Sequence, residues 1–424
     1  MEELNLFKAF VKSILREAGF AQAAAEFELT NDECGYEVCA RILQELNNFL
    51  YVADPAIGRN PDWKKDYISR FHKFWRKHHQ RIINPSINDT QCRRMAQILE
   101  TIHTSYSAQL GSAQSSLFVT GNTGELSSHQ IANVRFFTIT QDFRIKFQID
   151  PYFLASSRPN LFDARQILDD YPAMTDALLH ELGAETQTDK RHKFSRLSAE
   201  FLVENYGGEA FNICQQHNGR VVEIREALVN NPNPRYSGQL GFSDKKANLL
   251  IRDLVAMRVW SVSDPEEIDV SSDANTMRIA LRTGILKTRS PLMTSYLDVY
   301  DYQYGLIDEY TKRAWRRVWE LWGTLRSNHR VVAPAMFDFL IYRIGQNCCK
   351  AKTRRCETNC NTGRLSKCPL RNSILTRCSG TCGFRDVCES ATKKMNPPRA
   401  ISVLGGTGWE DGRADEGGGK GISS

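Results

Sequence analysis

Eight of the twelve cysteines in this 424-residue chain lie between Cys348 and Cys388, and that crowding limits what the C-terminal part can fold into. The surrounding segment is basic: residues 341–400 hold thirteen Lys or Arg against three Asp or Glu. A stretch so charged and so poor in apolar residues cannot order itself by burying a core, so its thiols are expected to supply the order. The chain opens MEELNLFKAF, without a basic leader or a small-residue cleavage site, and holds no window of eighteen uninterrupted apolar residues. It is therefore expected to be neither secreted nor membrane-spanning, and to work in a reducing compartment. In such a reducing compartment, clustered cysteines read as metal ligands rather than as a disulfide framework.

The rest of the chain has a globular composition, with 41% apolar and 10% aromatic residues and 55 basic against 49 acidic side chains. That balance excludes a disordered chain and leaves room for two or three domains. The formal net charge of +6 says little about partners, because a few surface lysines supply it. Trp63 to Arg81 (WKKDYISRFHKFWRKHHQR) interleaves basic and aromatic side chains. This suits either phosphate contact with stacking or a solvated helix with an aromatic core face.

Apolar residues recur at helical spacing in LNLFKAFVKSIL, RILQELNNFLYV and RRMAQILETIH, so residues 1–112 are expected to be helical. From Phe143 the period becomes two. Phe143, Ile145, Phe147 and Ile149 alternate with Arg144, Lys146 and Gln148, which predicts a half-buried strand in a small sheet beginning near Leu117. Helices return from Phe162 to Cys348, with Asp163, Asp169 and Asp176 near helix starts and Gly183, Gly207, Gly208 and Gly241 between helices. Trp315, Trp319 and Trp322 share a helical face and are expected in the core. The tail, 391–424, is rich in Gly and polar residues and is expected to be disordered.

The segment from Ser237 to Ile251, SGQLGFSDKKANLLI, carries the most information about function. A Gly-containing turn leads to Ser243 and Asp244, both suited to cap a helix, and then to an apolar helical run. Backbone N–H groups at such a helix start, with two lysines in the first turn, suit phosphate; an ordinary inter-helix turn uses the same residues. The segment resembles the hairpin of the helix–hairpin–helix DNA glycosylases, the endonuclease III-like superfamily, whose pattern runs L-P-G-V-G-x-K-x-A. Gly241, Lys245 and Ala247 match the first glycine, the lysine and the alanine, while Leu240 replaces the proline and Ser243 the second glycine.

Further on, Asp273-Ala274-Asn275-Thr276-Met277-Arg278 to Ile285 is similar to the family's D-T-H-x-x-R-V-x-x-R-L-G. Asp273 then stands at the catalytic aspartate and Arg278 and Arg282 at the arginines, with Asn275 in place of histidine. The interval from Lys245 to Asp273 is longer than the family's, which implies an insertion around Ser261 to Val270. Upstream, Thr186-Gln187-Thr188-Asp189-Lys190 resembles a Q-x-T-D segment, implying that Gln187 faces the gap left by an extruded base.

Gly345 and the cysteines after it resemble the family's iron–sulfur loop, C-x6-C-x2-C-x5-C. Cys349 and Cys356 reproduce the first interval, Cys360 and Cys368 stretch the next two, and Cys378, Cys382 and Cys388 end on the family's last one. The resemblance implies a [4Fe–4S] cluster on four of these thiolates. Eight cysteines exceed one cluster, so three arrangements stay open: a cluster alone, a cluster with a zinc ion, and zinc alone.

These matches follow the family's order over residues 160–390. They imply a mainly α fold, a bilobed helix–hairpin–helix glycosylase core with an N-terminal α+β extension containing a small β-sheet. The expected divisions are 1–155 for the extension, 160–262 for the lobe ending in the hairpin, 263–345 for the lobe with the aspartate, 346–390 for the metal loop and 391–424 for the tail. The implied activity is that of a monomer on double-stranded DNA, extruding a modified or damaged base and cutting its glycosidic bond. Asp273 would stabilise positive charge on the sugar, and Lys245 would attack the sugar carbon, adding abasic-site lyase activity. Gln187, Gly241, Ser243 and Lys246 would contact the DNA, and a one-residue slip would exchange Lys245 with Lys246. The alternative is a non-catalytic nucleic-acid binder with a zinc-stabilised basic C-terminal module, which the departures at Leu240, Ser243 and Asn275 favour.

Overall fold

The computed structural model describes residues 2–28, 42, 46, 62–102, 125–142, 147–184, 186–289, 306–326, 330–345, 382 and 384–388. Among them the chain is mainly helical, with one two-stranded sheet, and no helix is long and apolar enough to cross a membrane.

In α1 (Glu2–Glu17), Phe7, Val11, Ile14 and Leu15 recur at helical spacing and are all buried. After α2 (Ala21–Glu26), the long basic helix α3 (Asp62–Ile83) lies along α1. There the rings of Phe10 and Phe74 stack at 4.0 Å and Arg70 pairs with Glu17 at 2.7 Å. The next helix, α4 (89–102), buries Cys92, Met95, Ala96 and Leu99, again one face.

The remaining helices are α5 (Ser128–Gln141), α6 (Pro151–Ser157), α7 (Ala164–Asp169), α8 (Ala173–Leu182), α9 (Thr188–Tyr206), α10 (Phe211–Gln216), α11 (Val221–Val229) and α12 (Asp244–Ala256). They are followed by α13 (Ala274–Arg282), α14 (Leu306–Trp322) and α15 (Asp338–Ile344). Local signals set several ends: Ser127 and Gln130 form a capping box before α5, and Asp163 caps α7. Asp169, expected near a helix start, is the last residue of α7.

Buried apolar side chains form two clusters. One draws on α5 to α12, and the other on α1 to α4 and α13 to α15, together with Phe384 and Val387. The stretch 1–155 therefore contributes to both. Trp315, Trp319 and Trp322 are buried in the second cluster, as their spacing predicts.

The sheet among the described residues joins two segments that the alternating pattern does not mark. Strands β1 (Ser86–Ile87) and β2 (Leu286–Lys287) pair antiparallel, Ser86 opposite Lys287 and Ile87 opposite Leu286. Hydrogen bonds from Asn88 N to Ile285 O and from Arg289 N to Ile83 O, both 2.9 Å, extend the seam, which ties the N-terminal helices to the chain after α13. Leu117 and residues 143–146 lie outside the described residues. Phe147 to Ile149 are described and form no strand, because the Gln148 N–H turns to Leu182 O, 3.3 Å away. Phe147 and Ile149 still pack on the first cluster, so their alternation reports burial without a ladder.

Candidate functional site at the start of helix α12

Residues 230–243 join α11 to α12, and α9 anchors the joint. Leu240 and Phe242 are buried, the Tyr236 hydroxyl donates to Glu204, and Arg235 pairs with Glu200 and Glu204 at 2.6 and 2.9 Å. Lys193 Nζ donates to Gln239 Oε1 at 2.6 Å, and Ser198 Oγ to the Leu240 carbonyl at 3.4 Å. Leu240, standing where the pattern has proline, is thus an apolar anchor of the turn. Gly241 has φ +81°, and a Cβ there would lie 2.8 Å from the Phe194 ring, so both backbone and packing require glycine. Ser243 takes the N-cap position of α12 but is exposed and makes no side-chain capping bond, a departure from the cap its sequence suggests.

The two lysines of the first turn serve different surroundings. Lys246 Nζ donates to the Thr140 carbonyl at the C-terminal end of α5, 3.2 Å away. Burial lowers the Lys246 pKa to about 8, with Lys190, Lys245 and Arg191 adding to the fall and Asp142 opposing it. Lys245 instead acts on the buried carboxyl of Asp338, in the first turn of α15.

Asp273 is the N-cap of α13. Its Oδ1 accepts from the backbone N–H groups of Asn275 and Thr276, both at 2.8 Å, and Thr276 Oγ1 accepts in return from the Asp273 N–H at 2.7 Å. Its Oδ2 accepts from Asn275 Nδ2 at 3.2 Å, while Asn275 Oδ1 accepts from Arg278 Nη1 at 2.9 Å. The carboxylate is half-buried, so it is oriented without being sealed from solvent. A helix cap needs no more than this geometry. An acid held still and partly desolvated beside a reacting centre needs it too.

Ser271 brings the two segments together. Its Oγ donates to the Lys245 carbonyl at 3.3 Å, and its N–H donates to Asp338 Oδ2 at 3.2 Å. Arg252 Nη1 donates to the same Asp338 oxygen at 2.9 Å. Burial raises the Asp338 pKa to about 6; Asp273 adds to the rise, and Arg252, the Ser271 N–H and Lys245 oppose it. Lys245, Asp273 and Asp338 therefore belong to one electrostatic cluster, supplied by α12, the turn before α13, and α15.

Gln187 is exposed at the N-cap of α9 with φ +56°, an unusual conformation for a residue with a side chain. The fully buried Arg191 clamps its turn, donating from Nε to Thr186 O at 2.7 Å and from Nη1 to Gln141 O at 2.6 Å. Residues 140–142 thus meet both the Gln187 turn and Lys246, which places these expected DNA contacts in one neighbourhood.

The cysteine segment is described only at its end. Cys349, Cys356, Cys360, Cys368 and Cys378 lie outside the described residues. Cys382 is buried and Cys388 half-buried on a turn whose Phe384 and Val387 enter the second cluster, with the Cys388 N–H donating to Phe384 O at 3.1 Å. Among the described residues, no three His, Cys, Asp or Glu are grouped to hold a metal. Upstream, a Cβ on Gly345 would lie 2.8 Å from Asn275 Cβ, so the end of α15 abuts the start of α13 beside Asp273.

Asp338 and Arg252 escape the sequence reading. The only signal is an acid heading the apolar run DFLIYRI, and its burial depends on contacts with distant segments. No protein-family model matches the chain, and no curated protein does.

Proposed function

We propose that the protein is a DNA glycosylase with abasic-site lyase activity, acting as a monomer on duplex DNA through a bilobed helix–hairpin–helix core. The observation that supports this reading is the tie from the Lys245 backbone carbonyl to Ser271, two residues before the oriented carboxylate of Asp273, where helices of the two apolar clusters meet.

In this scheme the target nucleotide rotates out of the stack, at a cost of a few kcal/mol that backbone contacts offset. Gln187 stands at the gap it leaves, while Gly241, Ser243 and Lys246 face the phosphates at the start of α12. As the glycosidic bond lengthens, positive charge grows on the sugar, and the Asp273 carboxylate stabilises it. The neutral Lys245 amine bonds to the anomeric carbon as the base leaves with the glycosidic electron pair. Loss of a proton and ring opening give an imine, from which strand scission follows.

Four of Cys349, Cys356, Cys360, Cys368, Cys378, Cys382 and Cys388 would hold a [4Fe–4S] cluster. Cys382 and Cys388 fit that role, since the turn carrying them is already docked by Phe384 and Val387. When bound, the cluster would order the basic segment; a zinc ion beside it would serve the leftover thiols. Location in the cytoplasm, nucleoid or nucleus follows from this substrate.

Incubating the full chain with duplexes that carry different modified bases, and assaying free base, tests the proposal. Base release that disappears in Asp273→Asn supports it. Binding without release from any duplex establishes the competing reading, a non-catalytic binder, which the capping role of Asp273 favours beside the departures at Leu240, Ser243 and Asn275.

A further inference from the structure

The scheme above leaves Asp338 unused, although this buried carboxylate is hydrogen-bonded to the turn that ties Lys245 to Asp273 and feels the charge of both. Its Oδ2 takes hydrogen bonds from the Ser271 N–H at 3.2 Å and from Arg252 Nη1 at 2.9 Å. Ser271 is tied in turn to the Lys245 carbonyl and stands two residues before Asp273. The charged groups facing Asp338 are Lys245 and Arg252 from α12 and Asp273 from the turn before α13. Arg252 is shared with Asp253 at 2.7 Å, and Asp253 also pairs with Arg135 of α5.

We infer that Asp338 is a positioning residue for the proposed lyase chemistry: it pins the Ser271–Asp273 turn against α12 and sets the pH at which the Lys245 amine becomes a nucleophile. The inference rests on the assignment of Lys245 as that nucleophile.

The sign follows from elementary electrostatics. An ionised carboxylate favours the ammonium form of a nearby lysine, and only the neutral amine attacks carbon. Burial raises the Asp338 pKa to about 6 and the positive charge of Lys245 opposes the rise, so an ionised Asp338 and the ammonium form of Lys245 favour one another. Removing that charge lets Lys245 lose its proton at lower pH, and relieves Asp273 of a like charge. An asparagine keeps an oxygen for the Ser271 N–H, so the substitution separates charge from hydrogen bonding. A merely structural Asp338 would change stability without moving either titration.

The test uses the full chain with Asp338→Asn. The pH dependence of amine labelling at Lys245 is read by mass spectrometry without DNA, with the exposed Lys287 as internal reference. The expected result is a Lys245 midpoint lower by roughly one unit, the range for loss of a nearby opposite charge, with Lys287 unmoved. Borohydride trapping on an abasic-site duplex should show its acid limb displaced by the same amount.

Coupling is reciprocal, so Lys245→Met should raise the titration midpoint of the Asp338 carboxyl carbon, followed by NMR. That arm decides alone if Asp338→Asn does not fold. Unmoved midpoints overturn the inference. Displaced labelling midpoints in a protein that forms no Lys245-dependent adduct uphold the coupling and remove the nucleophile assignment instead.

Discussion

Ser271 Oγ donates to the carbonyl of Lys245 across 3.3 Å, bridging residues 26 apart in sequence. The acceptor is backbone, and Asp273, two residues further on, is itself held by the N–H groups of α13. The amine and the carboxylate are thus carried on scaffolds already fixed to one another before any ligand arrives. Preorganisation of this kind is what allows a carboxylate to act on developing charge without first reorganising.

Asp273 serves as helix cap and as proposed electrostatic catalyst, and two substitutions separate the roles. Asparagine caps helices about as well as aspartate, so Asp273→Asn should leave thermal stability nearly unchanged while slowing base release by about a hundredfold or more. Asp273→Ala should lose the same activity and about 1 kcal/mol of stability as well. Single-turnover base release beside urea denaturation distinguishes them. Activity retained in Asp273→Asn would leave this residue with the cap alone.

The two lysines in the first turn of α12 should part company in a trapping experiment. Borohydride reduction in the presence of a cognate duplex should give a covalent adduct with the wild type and with Lys246→Ala, and none with Lys245→Ala. The reverse pattern would mean that the alignment of the hairpin slips by one residue. Lys246 Nζ is engaged by the Thr140 carbonyl, whereas the charge of Lys245 reaches Asp338 in the cluster that also holds Asp273, which is why Lys245 is expected to be trapped.

What could be read from the sequence was local. The helix of α1, the cap at Asp163 and the turn at Gly241 depend on residues within a few positions of one another, and their patterns are visible in one dimension. The β1–β2 pair went unread because its strands are two residues long and pair Ser86 with Lys287, a partnership that no period can encode. Alternation at Phe147 and Ile149 came from burial on the first cluster rather than from a ladder. Asp338 and Arg252 went unnoticed because their meaning lies in tertiary burial: each looks like an ordinary surface charge until α12 and α15 are brought together. Ser243 stands at the N-cap that its sequence suggests, but its side chain makes no capping bond.

Gly241 has little freedom to change. Alanine would have to keep φ +81° and place its methyl 2.8 Å from the Phe194 ring. Gly241→Ala should therefore cost about 1–3 kcal/mol, combining left-handed strain with displacement of the ring. Gly238 also has positive φ, +65°, but meets nothing within 4 Å, so Gly238→Ala should pay the backbone cost alone and be milder. Chemical denaturation of the two variants side by side gives the order; equal losses would mean that the contact with Phe194 relaxes freely.

Lys246 should destabilise the fold at neutral pH. Its amine is partly buried, with a pKa lowered from 10.5 to about 8, so between those values the folded protein binds fewer protons here than the unfolded chain does. Stability from this group therefore rises with pH across that window, and below about pH 8 the full penalty of the buried charge applies. Lys246→Met removes the charge but also the bond to the Thr140 carbonyl, so the net gain at pH 7 is expected to be about 1 kcal/mol. Urea denaturation at pH 7 and pH 10 should show the variant ahead at the lower pH and the difference shrinking at the higher one. Parallel pH profiles would mean that the amine is better solvated than its surroundings imply. On the proposed reading the same variant should bind duplex DNA more weakly and lower the salt dependence by about one counterion, the signature of a lost phosphate contact. A penalty in stability retained at a position proposed to face the substrate is what a lysine selected for binding, rather than for the fold, would leave behind.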